Sequence, residues 1–187
     1  MTTVLKININ DLSAQFIHDL KAKFGKTAQL EIRVENPKHG EGLFSEVQFW
    51  QIINGLDWNQ EDYTEIVKPA VALLSKLPLS NIYLFQDYLS EKLFRLDTKA
   101  HANTYIEKYG DGHLSVDDFL YVRCAVVAEG KTYYEKVLKD PTELPIEISF
   151  EPLLSIASEA YGLKTSKKWD YFPIFNYETH SNLEGWK

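Results

Sequence analysis

Asp118-Phe-Leu-Tyr-Val-Arg-Cys-Ala-Val-Val-Ala-Glu129 is the stretch whose reading decides the fold. Between its two terminal acids lie ten residues, and the only charge among them is Arg123. Read as a helix, the stretch is apolar nearly all the way round, which is the mark of a helix buried on most of its faces. A guanidinium cannot be deprotonated there, so it must find a carboxylate or reach out to water. The expected partner is Asp97, Asp118 or Glu159. Glu159 is itself the lone charge between Leu153 and Tyr161 in another apolar stretch. The chain is therefore expected to hold a polar cluster against a helical core.

Helical patterning continues on both sides of this stretch. Ser115 and Asp118 have the spacing of a capping box, and Gly130 ends the helix. Upstream, Ser80 is the expected cap of the longest helix, in which Ile82, Phe85, Leu89, Leu93, Leu96 and Ala100 step by three or four residues. That helix is expected to reach Tyr109, with Gly110-Asp-Gly112 as its stop. Earlier still, Ser45 and Glu46 open a helix through Phe49, Trp50, Ile52 and Ile53. A second helical region runs from about Glu61 to Leu77, with a kink or restart expected at Pro69. Downstream, Thr132 to Leu138 reads as a helix stopped by Asp140-Pro141. Leu144 to Ile148 reads as a short strand or extended loop, and Phe150 to Tyr161 as a helix. The last 25 residues look irregular. Trp169, Tyr171, Phe172, Phe175, Tyr177 and Trp186 are too many aromatics for a free tail, so this segment is expected to wrap back on the body.

The front of the chain has a different pattern. Val4, Ile7 and Ile9 lie in a β-rich run from Thr2 to Ile9. Asp11 or Ser13 can cap a helix carrying Leu12, Phe16, Ile17, Leu20 and Phe24, and Gly25 closes it. Leu30, Ile32 and Val34 then alternate with Glu31, Arg33 and Glu35. The organisation expected is a small β-α-β module over residues 1–35 and a linker over 36–42. A helical domain with an aromatic-rich end follows over 43–187. The fold class is mainly α, a multi-helix domain with that small N-terminal module.

Several segments resemble one uncharacterised bacterial family, the domain-of-unknown-function family number 4240. They are Phe49-Trp50-Gln-Ile-Ile53, Leu93-Phe-Arg-Leu-Asp-Thr-Lys-Ala-His-Ala102, Asp117-Asp-Phe-Leu-Tyr-Val-Arg-Cys124, and Tyr177-Glu-Thr-His-Ser-Asn182 with Gly185-Trp186. The resemblance covers about residues 44–187 and implies a helical domain with no agreed activity and no known cofactor. The first 35 residues lie outside it and are weakly similar to the N-terminal pieces of some small bacterial antitoxins.

Composition narrows the function classes. The chain has 187 residues, 44% hydrophobic and 25% charged, which suits one domain with a small attachment. The single cysteine, Cys124, excludes an intramolecular disulfide framework and any multi-cysteine metal site. The net charge of −7 is unevenly divided: residues 1–40 hold six Lys/Arg against four Asp/Glu, and the acidity lies in the remainder. An acidic body lacks the electrostatic footprint of a nucleic-acid binder. No secretory signal and no membrane span is visible, so a cytoplasmic protein is expected.

Two candidate sites remain. Asp97 and His101 stand four apart on the expected long helix, where a carboxylate and an imidazole on one face can hold a divalent metal or form an acid/base pair. The simpler role is a hydrogen-bonded pair that orients neighbouring helices, and no third ligand can be assigned. Arg123 could clamp a carboxylate or phosphate, or it could be an internal ion-pair partner. No nucleophile elbow, phosphate loop or calcium loop occurs. The cluster to follow is thus Asp97, His101, Asp118, Arg123 and Glu159, with no catalytic residue, metal or cofactor assigned. The reading this favours is a non-enzymatic protein-binding or accessory protein, of the antitoxin or immunity kind. Its partner contact, or self-association, would run through residues 1–35. The alternatives are a metal-dependent hydrolase using Asp97 and His101, and a small-ligand sensor with Arg123 binding an anion.

Overall fold

The computed structural model describes residues 13–25, 44–109, 112–145 and 148–187. The chain divides into two units, Met1–Glu41 and Gly42–Lys187.

In the first unit the described residues form helix α1, Ala14–Phe24. The Ser13 hydroxyl accepts from the Phe16 N–H at 3.1 Å. Gly25, at φ 79°, closes the helix in a left-handed conformation that suits glycine and returns its N–H to the Lys21 carbonyl. No residue of α1 is buried. The strands expected over Thr2–Ile9 and Leu30–Val34 lie outside the described residues. Because the described residues contain no β-strand, the expected β-α-β module is corrected, and the fold is mainly α. Alternating β-branched residues record a side-chain preference only. A strand also needs a hydrogen-bonded neighbour, which an alternating pattern does not by itself provide.

In the second unit, α2 (Glu46–Ile53) opens with a full capping box, Ser45 and Gln48 each bonding the other's backbone. Helix α3 (Tyr63–Lys76) is capped by Asp62 and passes through Pro69 as one span, without the restart expected there. Helix α4 (Leu79–Leu96) starts one residue before Ser80, with Pro78 at the cap position. Its Ile82, Phe85, Leu89, Leu93 and Leu96 are fully buried, whereas Ala100 beyond it is exposed. The expected continuation to Tyr109 is corrected, for the chain breaks at Asp97-Thr98 and α5 begins afresh at Lys99, running to Tyr109.

Helix α6 (Val116–Ala128) holds the stretch quoted first, and nine of its 13 residues are buried. It packs between α4, α7 (Lys131–Lys139) and a 3-10 turn at Glu151–Ser155. Helix α8 (Ile156–Thr165) continues from that turn and packs on α3 and α4. Leu144, Pro145 and Ile148 form neither strand nor helix. After α8 the chain follows α4 without regular structure. Tyr171 stacks on Tyr83 with ring centroids 4.7 Å apart and donates its hydroxyl to Asp87 at 2.8 Å. Phe175 meets Phe94 at 5.2 Å, and Trp169, Tyr177 and Trp186 pack against the core. Tyr83, Asp87, Phe94 and Asp97 lie three, four or seven residues apart, so one side of α4 receives the whole segment.

Candidate functional site

Asp97 is fully buried where α4 stops. Its Oδ1 accepts the His180 N–H at 3.1 Å and the Trp186 indole N–H at 3.0 Å. Its Oδ2 accepts the Asn182 N–H at 3.0 Å and the Ser181 hydroxyl at 3.4 Å. All four donors come from one short irregular stretch, which curls around the carboxylate through a left-handed His180 at φ 74°. The His180 ring lies against Trp186, centroids 4.1 Å apart. The helix break follows from the same contacts. Thr98 caps α5 with its hydroxyl toward the His101 N–H, and the unpaired first-turn N–H of Lys99 donates to the Gly185 carbonyl at 2.9 Å.

Arg123 is also fully buried and serves the opposite polarity of the same stretch. One terminal nitrogen donates to the Leu93 and Tyr177 carbonyls at 2.9 and 3.1 Å, and the other to the Thr179 hydroxyl at 2.9 Å. Thr179 passes its own proton to the Val116 carbonyl. The guanidinium lies over the Phe119 ring, 4.9 Å from its centroid, and its Nε has no partner among the described residues. Burial lowers the guanidinium's affinity for its proton, and the negative charge of Asp97 opposes that effect. An arginine therefore stays charged here.

The expectation of a carboxylate hydrogen-bonded to Arg123 is corrected. Asp118 is exposed at the start of α6, where its backbone N–H donates to Ser115 in half a capping box. Glu159 is exposed on α8. Asp97 is near enough to be felt, but its oxygens face the backbone N–H groups of His180 and Asn182, the Ser181 hydroxyl and the Trp186 indole. An irregular segment half-buried against the core carries both N–H and C=O groups that need partners. One anion and one cation, set side by side on α4 and α6, supply both kinds.

His101 is 3% exposed and does not share a helical face with Asp97, because the break separates them. Its Nε2 lies 3.0 Å from the Val137 carbonyl, which can only accept, so Nε2 carries a proton. Its Nδ1 is 2.7 Å from the Thr98 hydroxyl. Burial, aided by Arg123 and opposed by the Val137 bond, holds the ring below the usual histidine range, so it is neutral at pH 7. Burial likewise pushes the Cys124 thiol up to about 12, which removes it as a nucleophile.

A second buried cation went unmarked in the sequence. Lys92 is 2% exposed, and its Nζ lies 3.0 Å from Glu46 and 3.6 Å from Glu91, between the Tyr88 and Tyr134 rings. The Trp50 indole also donates to Glu46, whose carboxyl is held below its ordinary range chiefly by the Lys92 bond. The signal was available. Lys92 sits at heptad spacing between Phe85, Leu89 and Leu96, in the apolar stripe of α4.

Two open concavities mark the surface. One of about 420 Å³ is lined by Thr64, Glu151, Pro152, Leu154, Ser155 and Glu159. The other, about 200 Å³, is lined by Leu84, Asp87, Tyr88, Glu91, Ile174 and Phe175. Asp97, His101 and Arg123 line neither. Among the described residues no three of His, Cys, Asp and Glu gather as a metal site, and no helix is long and apolar enough to cross a membrane.

No curated protein and no solved structure matches the chain. One family's sequence model does, over residues 44–162, a span that holds Asp97, His101 and Arg123 but ends before the segment that engages Asp97 and Arg123. The chain belongs to that family, the proteins of unknown function designated DUF4240.

Proposed function

We propose that the chain is a non-enzymatic binding protein of the cytoplasm, an accessory protein that holds another polypeptide as an antitoxin or immunity protein does. The observation that supports this reading is the internal engagement of Asp97, His101 and Arg123, the groups that the hydrolase and sensor readings would use. Asp97 faces four donors, both His101 ring nitrogens have partners, and both terminal nitrogens of Arg123 bond to the protein. A hydrolase needs a lone pair and a ring nitrogen facing one open space. A sensor needs guanidinium donors left for its ligand. The acidic body also argues against a nucleic-acid partner.

The contact is assigned to α1. Phe16, Ile17, Leu20 and Phe24 form one stripe on a helix with no buried residue, and such a stripe is the kind of surface a second chain covers. The test is Phe16→Asp with Leu20→Asp in the full-length protein. Native mass by light scattering and the set of proteins cross-linked in source cells are then compared with wild type. Loss of self-association or of one specific partner, with unfolding unchanged, supports the assignment. An unchanged mass and an unchanged cross-linked set would refute it. Calorimetric binding of zinc or manganese that disappears in His101→Ala would instead favour the hydrolase.

A further inference from the structure

The larger concavity combines features that α1 does not share. It lies where α3, the 3-10 turn and α8 meet, and Pro152 and Leu154 give it apolar lining. Glu151 and Glu159 stand on it, both exposed, and neither is paired with a described lysine or arginine. Next to it, Trp58 and Tyr63 remain 49% and 52% exposed although they share a support, the Phe150 ring, at 5.1 and 5.7 Å. Phe150 adjoins Glu151 in the chain and Tyr63 adjoins Thr64, so the rings and the concavity draw on neighbouring residues of the same two elements. Asp57, Glu61, Asp62 and Glu65 extend the negative charge, and the nearby cation Lys68 is taken by Glu65.

Half-exposed aromatic faces beside carboxylates that no described lysine or arginine holds, Glu151 being bonded to the Tyr121 hydroxyl, lie over an apolar floor and match one side chain better than any other. A guanidinium can pair with a carboxylate through two bonds, stack flat on an aromatic ring, and lay its aliphatic stem on apolar surface. A lysine shares the stem and the charge but lacks the planar fork that pairs with a carboxylate through two bonds and stacks flat on a ring. We infer that this surface docks an extended, arginine-bearing segment of a partner protein, with the arginine seated between Glu151 and Glu159. The inference rests on the reading of the chain as a protein binder, and it names a surface separate from α1.

The probe is a fluorescein-labelled octa-arginine peptide, titrated by anisotropy into the full-length protein at about 0.15 M salt. Under those conditions charges more than about 8 Å from the peptide are largely screened, so the general acidity of the body contributes little. Wild type is expected to bind, and octa-lysine to bind several-fold more weakly. Glu151→Gln with Glu159→Gln should weaken octa-arginine binding about tenfold. A charge-matched control, Glu107→Gln with Asp170→Asn, should change it less than about twofold. Trp58→Leu, which keeps every charge, should also weaken it. Four results overturn the inference: no binding by wild type, equal loss in both charge variants, equal affinity for octa-lysine, or no effect of Trp58→Leu. A fall in native mass on Glu151→Gln/Glu159→Gln would also overturn it, because the occupant would then be a second copy of the chain. Since the α1 variants leave this surface untouched, failure here and failure of the α1 assignment are read separately.

Discussion

Asp97→Asn changes one atom of a side chain with no exposed surface, and its cost can be worked from the contacts. The carboxylate presents two accepting oxygens, whereas the amide presents one and turns two N–H groups toward whatever faced the other. The best orientation keeps the oxygen on the His180 and Trp186 donors. The new NH2 then faces the Asn182 N–H, whose 3.0 Å bond is lost. Ser181 escapes, because its hydroxyl also reaches the Asn176 carbonyl. One orphaned buried donor costs about 1–3 kcal/mol, and the surviving bonds fall from charge-assisted to neutral strength, roughly another 1 kcal/mol. Arg123 loses its nearest negative charge as well. The sum is about 3 kcal/mol, or roughly 6–12 °C in melting temperature for a domain of this size. Thermal unfolding followed by circular dichroism measures it, and Trp186 fluorescence reports whether the segment has detached. A shift below about 2 °C would mean that Asp97 does not anchor the segment in solution.

Arg123→Met should cost about 3–5 kcal/mol in urea unfolding, because it leaves Asp97 as a buried charge without its counter-charge and the Tyr177 carbonyl without a donor. A near-neutral effect would identify an arginine that faces solvent or ligand. The His101 ring is held below its ordinary range when folded, so only the unfolded chain takes up a proton as pH falls below about 6.5. Stability contributed by the neutral ring is therefore complete above that pH and declines below it, toward the depressed folded value. His101→Gln should flatten the slope of unfolding free energy between pH 7 and 5, and an unchanged slope would exclude this origin. Gly185→Ala would place a methyl 2.8 Å from the Asn182 amide nitrogen and 2.9 Å from the Thr98 methyl, lowering stability by about 1–3 kcal/mol in the same assay. At the second buried cation the two deletions should differ. Lys92→Met should be nearly neutral, because half-exposed Glu46 stays solvated, while Glu46→Ala leaves the ammonium only the longer contact with Glu91 at 3.6 Å and should cost about 1–2 kcal/mol.

The sequence is most legible where structure is set within a few turns of helix. The all-round apolarity of residues 119–128 places α6 at the centre, the stripe from Ile82 to Leu96 gives the buried face of α4, and Ser13 and Gly25 bracket α1. Legibility fails where the deciding partner lies far along the chain. Periodicity runs smoothly from Leu93 through Ala100, so nothing local announces the break at Asp97-Thr98. The break depends on Gly185 and on donors at 180–186. Arg123 and Asp97 stand out as a cluster for a sound reason, since charges in apolar helices need partners. Opposite side chains are the simplest partners to imagine from a sequence. Backbone groups of an irregular segment serve as well, and composition does not display them. Asp118 and Glu159 entered the cluster on charge alone, and both face solvent.

The order in which these groups are made also matters for folding. Asp97 stands 83 to 89 residues ahead of its donors, and Arg123 stands 54 and 56 ahead of Tyr177 and Thr179. At about 5–20 residues per second on the ribosome, Asp97 waits roughly 4–18 s before its donors are synthesised. In that interval α4 and α6 already carry the apolar faces of the core. Closing them would bury two ions before the segment that satisfies them exists. Collapse of that core before residues 177–186 are available would therefore carry the cost of two unsatisfied buried ions, which disfavours early closure around a wrong neighbour.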